Sequence, residues 1–251
     1  MVGSAHRVEK QTAPRRWRLL VAGFVLALAP PAHADVAAGW AAYLGGDYVT
    51  AVTELEPDAE AGNAEAQFYM GTLREHGAGV PKDYGAALEW YRRAATQGHT
   101  GAQFAIGLLY HDGAGGGAIP RDPVQAAIWL QSAAEGGNAM AQHLLGRMYR
   151  LGRGVPKDAA LAVQWSLGAA QRGVPGAQFE IGLLITSRKH DRAEAVAAYA
   201  WFLLADRARH PGALTNLDLL RLRMPQVDID QATAMADAWQ PPPDGQRPPV
   251  Q

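Results

Sequence analysis

Ala66-Gln67-Phe68-Tyr69-Met70-Gly71, then Gly77-Ala78-Gly79-Val80-Pro81-Lys82-Asp83, then Trp90-Tyr91-Arg92-Arg93-Ala94-Ala95-Thr96-Gln97-Gly98 are three pieces of one stretch that this chain repeats. The first piece opens a proline-free segment whose apolar residues have helical spacing. In the second, the glycines permit a positive φ and the proline stops a helix from running on. Asp83 stands where an N-cap belongs, its carboxylate placed to accept from orphan helix amides. From Tyr84 to Thr96, Ala87, Trp90 and Ala94 share one stripe, because steps of three and four fall on one helix face. Gly98 supplies the stop. The stretch predicts a helix hairpin.

Working outward, Trp90, Trp129, Trp165 and Trp201 recur at intervals of 39, 36 and 36 residues. Ala66-Gln67, Ala102-Gln103, Ala141-Gln142 and Ala177-Gln178 precede them by 24 residues, except for 27 in the second unit, whose three additional residues fall in Gly113-Ala114-Gly115-Gly116-Gly117. Expected caps at Asp47, Asp83, Asp122, Asp158 and Glu194, small residues at Ala51, Ala87, Ala126, Ala162 and Ala198, and closing glycines at Gly62, Gly98, Gly137 and Gly173 keep the same register. A fixed period of this length marks stacked supersecondary units. Asp47, Ala51 and Gly62 keep the beat with Glu54 in the tryptophan's place, so a degenerate first unit begins near Val36. Ala213 follows Ala177 by 36 residues, but the helix expected after it, Leu214 to Met224, loses the glycine; a last helix is expected from Asp228 to Trp239. The expected fold is an all-α solenoid of about five helix hairpins over residues 35–240. Its repeats lie near 62–98, 99–137, 138–173 and 174–210, between capping units 36–61 and 211–240.

Gly71, Gly107, Gly146 and Gly182 sit at one position of the first helix in each unit. A glycine inside a helix costs about 0.5–1 kcal/mol relative to alanine, so its repetition predicts a neighbouring helix too close for a β-carbon. Each tryptophan is expected to be the wedge between units, since burying one removes roughly 150–250 Å² from water.

The first 34 residues stand outside the pattern. Arg15, Arg16 and Arg18 precede the apolar run Leu19 to Ala29, and Ala32-His33-Ala34 forms a small-residue cleavage signal. This predicts a secretory signal peptide cut after Ala34. Arg15-Arg16 leaves twin-arginine export open beside the ordinary route. The apolar run has 11 residues, against the ~20 that cross a bilayer, so no membrane span is expected after cleavage. The chain has no cysteine, which excludes disulfides, thiolate metal sites and a cysteine nucleophile. At 48% hydrophobic it can build its own core. Beyond residue 34 it carries 18 basic and 23 acidic side chains, a net charge of −5, which argues against nucleic acid as the partner. Residues 241–251, with Pro241-Pro242-Pro243 and Pro248-Pro249, are expected to be a disordered tail.

The run Ala-Gln-x-x-x-Gly, Gly-x-Gly-Val-Pro-Lys-Asp and Trp-Tyr-Arg-Arg-Ala-Ala-x-Gln-Gly resembles the Sel1-like repeat, a relative of the tetratricopeptide repeat, from roughly Gly62 to Arg209. The fourth copy departs from it, with Ser187-Arg188-Lys189-His190 in place of the glycine loop. The resemblance implies a right-handed superhelix and an adaptor that holds other proteins together, in bacteria often exported and tied to the envelope or to host contact.

No catalytic constellation stands out. Ser132, Ser166 and Ser187 lack a lysine three residues on, which removes the serine–lysine arrangement of penicillin-recognising enzymes. No His-Glu-x-x-His or phosphate-loop sequence occurs, so no catalytic residue, cofactor or metal is expected. His76 and His111 lie at loop entrances in adjacent units, where they are either solvated side chains or the two sides of a metal bridge. His143 takes the place of Phe68, Phe104 and Phe179 and is expected to be half-buried packing. Gln67, Gln103, Gln142 and Gln178 fall on the packed side, as structural bridges or as ligand contacts.

Repeated residues hold a stack together, whereas a recognition strip should vary. Three and six residues after each Ala-Gln alanine lie Tyr69 and Thr72, Ala105 and Leu108, Leu144 and Arg147, Glu180 and Leu183. This mixture suits an extended peptide along a groove. The function expected is non-catalytic protein–protein interaction in the periplasm or outside the cell. The alternatives are an envelope enzyme or a glycan-binding module, related to peptidoglycan or β-lactams.

Overall fold

The computed structural model describes residues 36–188 and 190–241. The expected signal peptide and all of the expected tail beyond Pro241 lie outside the described residues. Every described residue belongs to one compact unit.

The helices are α1 (Val36–Leu44), α2 (Tyr48–Glu60), α3 (Ala64–His76), α4 (Tyr84–Thr96), α5 (Thr100–Asp112), α6 (Pro123–Glu135), α7 (Ala139–Leu151), α8 (Ala159–Gln171), α9 (Pro175–Thr186), α10 (Arg192–Arg207), α11 (Ala213–Arg221) and α12 (Gln226–Ala238). The described residues contain no strand; the three additional residues of the second unit are taken up by a 3-10 turn, Gly115–Gly117, closed by a bridge between Ala114 and Ile119. Helices pack almost entirely on their sequence neighbours, the arrangement of an α-solenoid. The odd-numbered helices α1 and α3, and α7 and α9, also touch across units, which puts the odd helices on one shared face.

Asp47, Asp83, Asp122 and Asp158 each accept hydrogen bonds from amides of the helix that follows. The fifth expected cap, Glu194, is a correction. Asp191 caps α10, while Glu194 sits three residues in and bonds back to the Asp191 amide, completing a capping box.

The depth of the expected wedge, and the side chain at the close approach, are also corrected. Trp90, Trp129, Trp165 and Trp201 are only half-buried. The side chain facing each helical glycine is the one after the tryptophan: a β-carbon would fall 2.5 Å from the Tyr91 ring at Gly71, 2.7 Å from Leu130 at Gly107 and 2.5 Å from Phe202 at Gly182. At Gly146 it would strike Ser166. Tyr91, Leu130, Ser166 and Phe202 are all buried. The glycine therefore locks the two helices of one hairpin. Each tryptophan does lie at the seam between units, where it was expected, Trp90 against the α2–α3 cluster and Trp165 against the α6–α7 cluster, but only half-buried.

The glutamines complete those seams. Gln67, Gln103, Gln142 and Gln178 donate Nε2 to the carbonyl oxygens of Ala59, Ala95, Ala134 and Ala170, at 3.0, 3.3, 3.1 and 3.4 Å. Those carbonyls belong to the last turn of the preceding even helix, where each also accepts from the amide of the closing glycine, Gly62, Gly98, Gly137 or Gly173. Gln97 reaches back across the same seam, donating to Gln67 Oε1 at 2.8 Å and to the Gly62 carbonyl at 2.9 Å. The repeated glutamine is structural.

The last unit differs. Counting in register, Asp218 takes the place of the locking glycine and Ala238 that of its partner. Both are exposed, and α11 and α12 pack on α10 while scarcely touching each other. The expected helices 214–224 and 228–239 are found as 213–221 and 226–238.

Candidate binding groove

The odd helices bring most of the variable strip onto one face. Tyr69 is half-buried, its ring stacked on Trp40 with centroids 4.4 Å apart, and Trp40 stacks in turn on Tyr43 at 4.8 Å. The Tyr69 hydroxyl donates to Glu65 at 2.9 Å. Burial, with the neighbouring carboxylate, pushes the phenol up to about 12, so it stays a neutral donor. Thr72 is half-buried, giving its hydroxyl proton to the Phe68 carbonyl at 3.1 Å and lying 3.3 Å from the Tyr91 hydroxyl. Ala105, Leu108, Leu144 and Leu183 are half-buried and Arg147 is exposed.

Glu180 does not join them. It is 4% exposed and ion-paired with Arg150 of the preceding unit, so its charge is spent inside the stack. Sequence reasoning missed the other members of the face. Met140 and Leu151 lie four residues before Leu144 and four after Arg147, and are 48% and 40% exposed. The signal was present as helical spacing extended one turn each way.

A shallow notch forms at the centre of the strip, lined by His111, Leu144, Arg147, Met148, Leu151 and Arg153. Neither Arg147 nor Arg153 has an ion-pair partner among the described residues. Two cations thus flank exposed aliphatic surface in a chain that is otherwise acidic.

The histidines fall into two kinds. His76 Nδ1 lies 2.9 Å from the Thr72 carbonyl and His111 Nδ1 2.6 Å from the Asp112 carboxylate, so each is engaged within its own unit. Among the described residues no group of three or more His, Asp or Glu is placed to hold a metal. His143 is buried rather than half-buried, and its Nδ1 has no hydrogen-bond partner. A β-carbon on Gly176 would fall 2.8 Å from its Nε2. Burial first, then the charges of Arg147 and His210, pull it down to about 4, so it packs as a neutral ring.

The Sel1 repeat family matches residues 64–99, 100–138 and 139–174, close to the expected repeat boundaries. Residues 64–174 are three Sel1 repeats. Two solved structures extend the likeness beyond them. A Sel1 repeat protein from Oxalobacter formigenes is 26% identical with a TM-score of 0.58, over 82% of this chain and 100% of that one. A protective antigen of uropathogenic Escherichia coli strains, displaying an SLR fold, is 26% identical with a TM-score of 0.53, over 80% of this chain. This chain spans 51% of that antigen's length. No curated protein matches. Sel1 repeats serve generally in protein interaction, and no described helix is long and apolar enough to cross a membrane.

Proposed function

We propose that this Sel1-repeat protein is an exported, non-catalytic adaptor of the bacterial envelope that holds an extended segment of a partner protein along the face of its odd-numbered helices. The observation that carries the reading is the notch, where Leu144 and Leu151 expose aliphatic surface beside the unpaired Arg147 and Arg153. Exposed apolar groups next to uncompensated guanidinium groups suit a peptide with both acidic and apolar residues. The aromatic stack of Trp40, Tyr43 and Tyr69 gives the same face a rigid contact at its other end. The signal-like sequence of residues 1–34 supports export.

Crosslinking in cells followed by mass spectrometry supplies the partner, and cell fractionation tests the location. Arg147→Glu should weaken capture of that partner at least tenfold, with Leu144→Ala and Tyr69→Ala weaker by smaller factors. Wild-type capture by all three variants would remove the groove assignment. Cytoplasmic recovery of the full-length chain would remove the export assignment.

A further inference from the structure

Beside the last unit lies a cavity of about 560 Å³, lined from the end of α9, the start of α10, α11 and the start of α12. Small-ligand sites typically occupy roughly 300–1,000 Å³, so this space is of ligand size. The unit beside it departs from the others: where a glycine draws the two helices of every earlier Sel1-type hairpin together, Asp218 stands instead, and α11 has 9 residues where the other odd helices from α3 to α7 have 13. Leu219, Leu220 and Met224 form its accessible apolar wall, while Phe202 beside them is fully buried.

The lining of the cavity carries two arginines, Arg192 and Arg223, and two aspartates, Asp191 and Asp228. Asp228, 3% exposed, is consumed by Arg192, which donates from Nε at 3.0 and 2.7 Å and from Nη2 at 2.6 Å. Asp228 is thus spent on Arg192, whereas Asp191 caps α10 through one oxygen and keeps its charge at the exposed rim. Arg223 has no ion-pair partner among the described residues, and the Nη1 of Arg192 makes no hydrogen bond. The side chain of Arg192 is held in place by Asp228 yet remains 70% exposed, which makes its guanidinium a preorganised donor. At the same rim α12 begins after Pro225 with no side chain capping its first amides, which adds to the preference for an anion. Free donors beside an apolar wall call for a carboxylate on an apolar body.

We propose that this cavity is a second binding site, which takes an apolar residue bearing a free α-carboxylate, with the carboxylate on Arg223 and Arg192 and the side chain against Leu219, Leu220 and Met224. The same chemistry is offered by the C-terminal residue of a peptide and by a free N-acylated amino acid. The site is separate from the groove on the odd helices and does not depend on it.

Calorimetric titration of the full chain with N-acetyl-leucine, N-acetyl-leucinamide and the peptides Ala-Ala-Leu and Ala-Ala-Leu-amide tests it. The acids should bind at least tenfold more tightly than their amides. Arg223→Gln should cost about tenfold for the acids while leaving the melting temperature unchanged, because Arg223 is exposed and unpaired. Tighter binding of Ala-Ala-Leu than of N-acetyl-leucine assigns the site to peptide ends; equal or tighter binding of N-acetyl-leucine assigns it to small acids. Equal binding of acid and amide, no binding of either acid, or undiminished binding by Arg223→Gln would overturn the proposal. So would loss of binding in Arg147→Glu, which would move the ligand to the groove.

Discussion

The hairpin α9/α10 and the pair α11/α12 are neighbours built on one 36-residue register, yet one is closed and the other open. In the first, Gly182 admits the Phe202 ring so closely that a β-carbon would overlap it. In the second, Asp218 and Ala238 hold those two positions, both exposed, and each helix leans on α10 instead of on its partner. A solenoid's last unit has no following unit to bury it, so an apolar lock there gains less than one inside the stack. Beside the open unit lies accessible volume lined by Arg192, Arg223, Asp191 and Asp228.

Three measurements break or sharpen this comparison, beginning with the largest effect. Phe202→Ala empties the centre of the closed hairpin and should cost about 3–5 kcal/mol, a fall in melting temperature on the order of 10 °C. A fall no larger than that of Trp201→Ala would return the wedge role to the tryptophan. Gly182→Leu should cost about 1–3 kcal/mol through overpacking, whereas Asp218→Leu should stay within about 0.5 kcal/mol, measured by denaturant unfolding. Equal costs would mean that the two positions are not a lock and its absence.

The smallest effect concerns His143, the one ring that breaks the phenylalanine series. Its folded-state value, about 4, lies below that of a free imidazole, so the unfolded chain takes up the proton first as pH falls. Its contribution is therefore full above about pH 6.5 and is lost as pH falls toward 4. His143→Phe should flatten that part of the stability–pH curve, seen in thermal melts between pH 7 and pH 4. An unchanged slope would show that the ring is hydrated or paired in solution.

Much of the architecture was open to inspection in the chain itself, because the signals are short-range or periodic. An aspartate caps amides two or three residues on, so Asp47, Asp83, Asp122 and Asp158 announce their helices without any tertiary contact. Glu194 misled because a capping box places an acidic residue at both ends of a four-residue step, and only the backbone shows which one stands outside the helix. The groove was half visible. Variation marked Tyr69, Leu144 and Arg147, but the same variation marked Glu180, whose burial depends on Arg150 thirty residues earlier.

The sequence by itself determined the period, the helix pairs, the close approach at the four glycines and the seam-side place of the glutamines, since each is written in one unit and repeated. Only the tertiary structure decided which side chain meets each glycine. Consecutive residues on a helix are turned about 100° apart, so a one-residue difference moves a side chain from the seam between units to the interior of a hairpin. The cavity at the last unit was likewise a tertiary decision. Its lining is drawn from α9, α10, α11 and α12 and includes an Arg192–Asp228 pair spanning 36 residues, and no local pattern encodes where separate elements stop relative to one another.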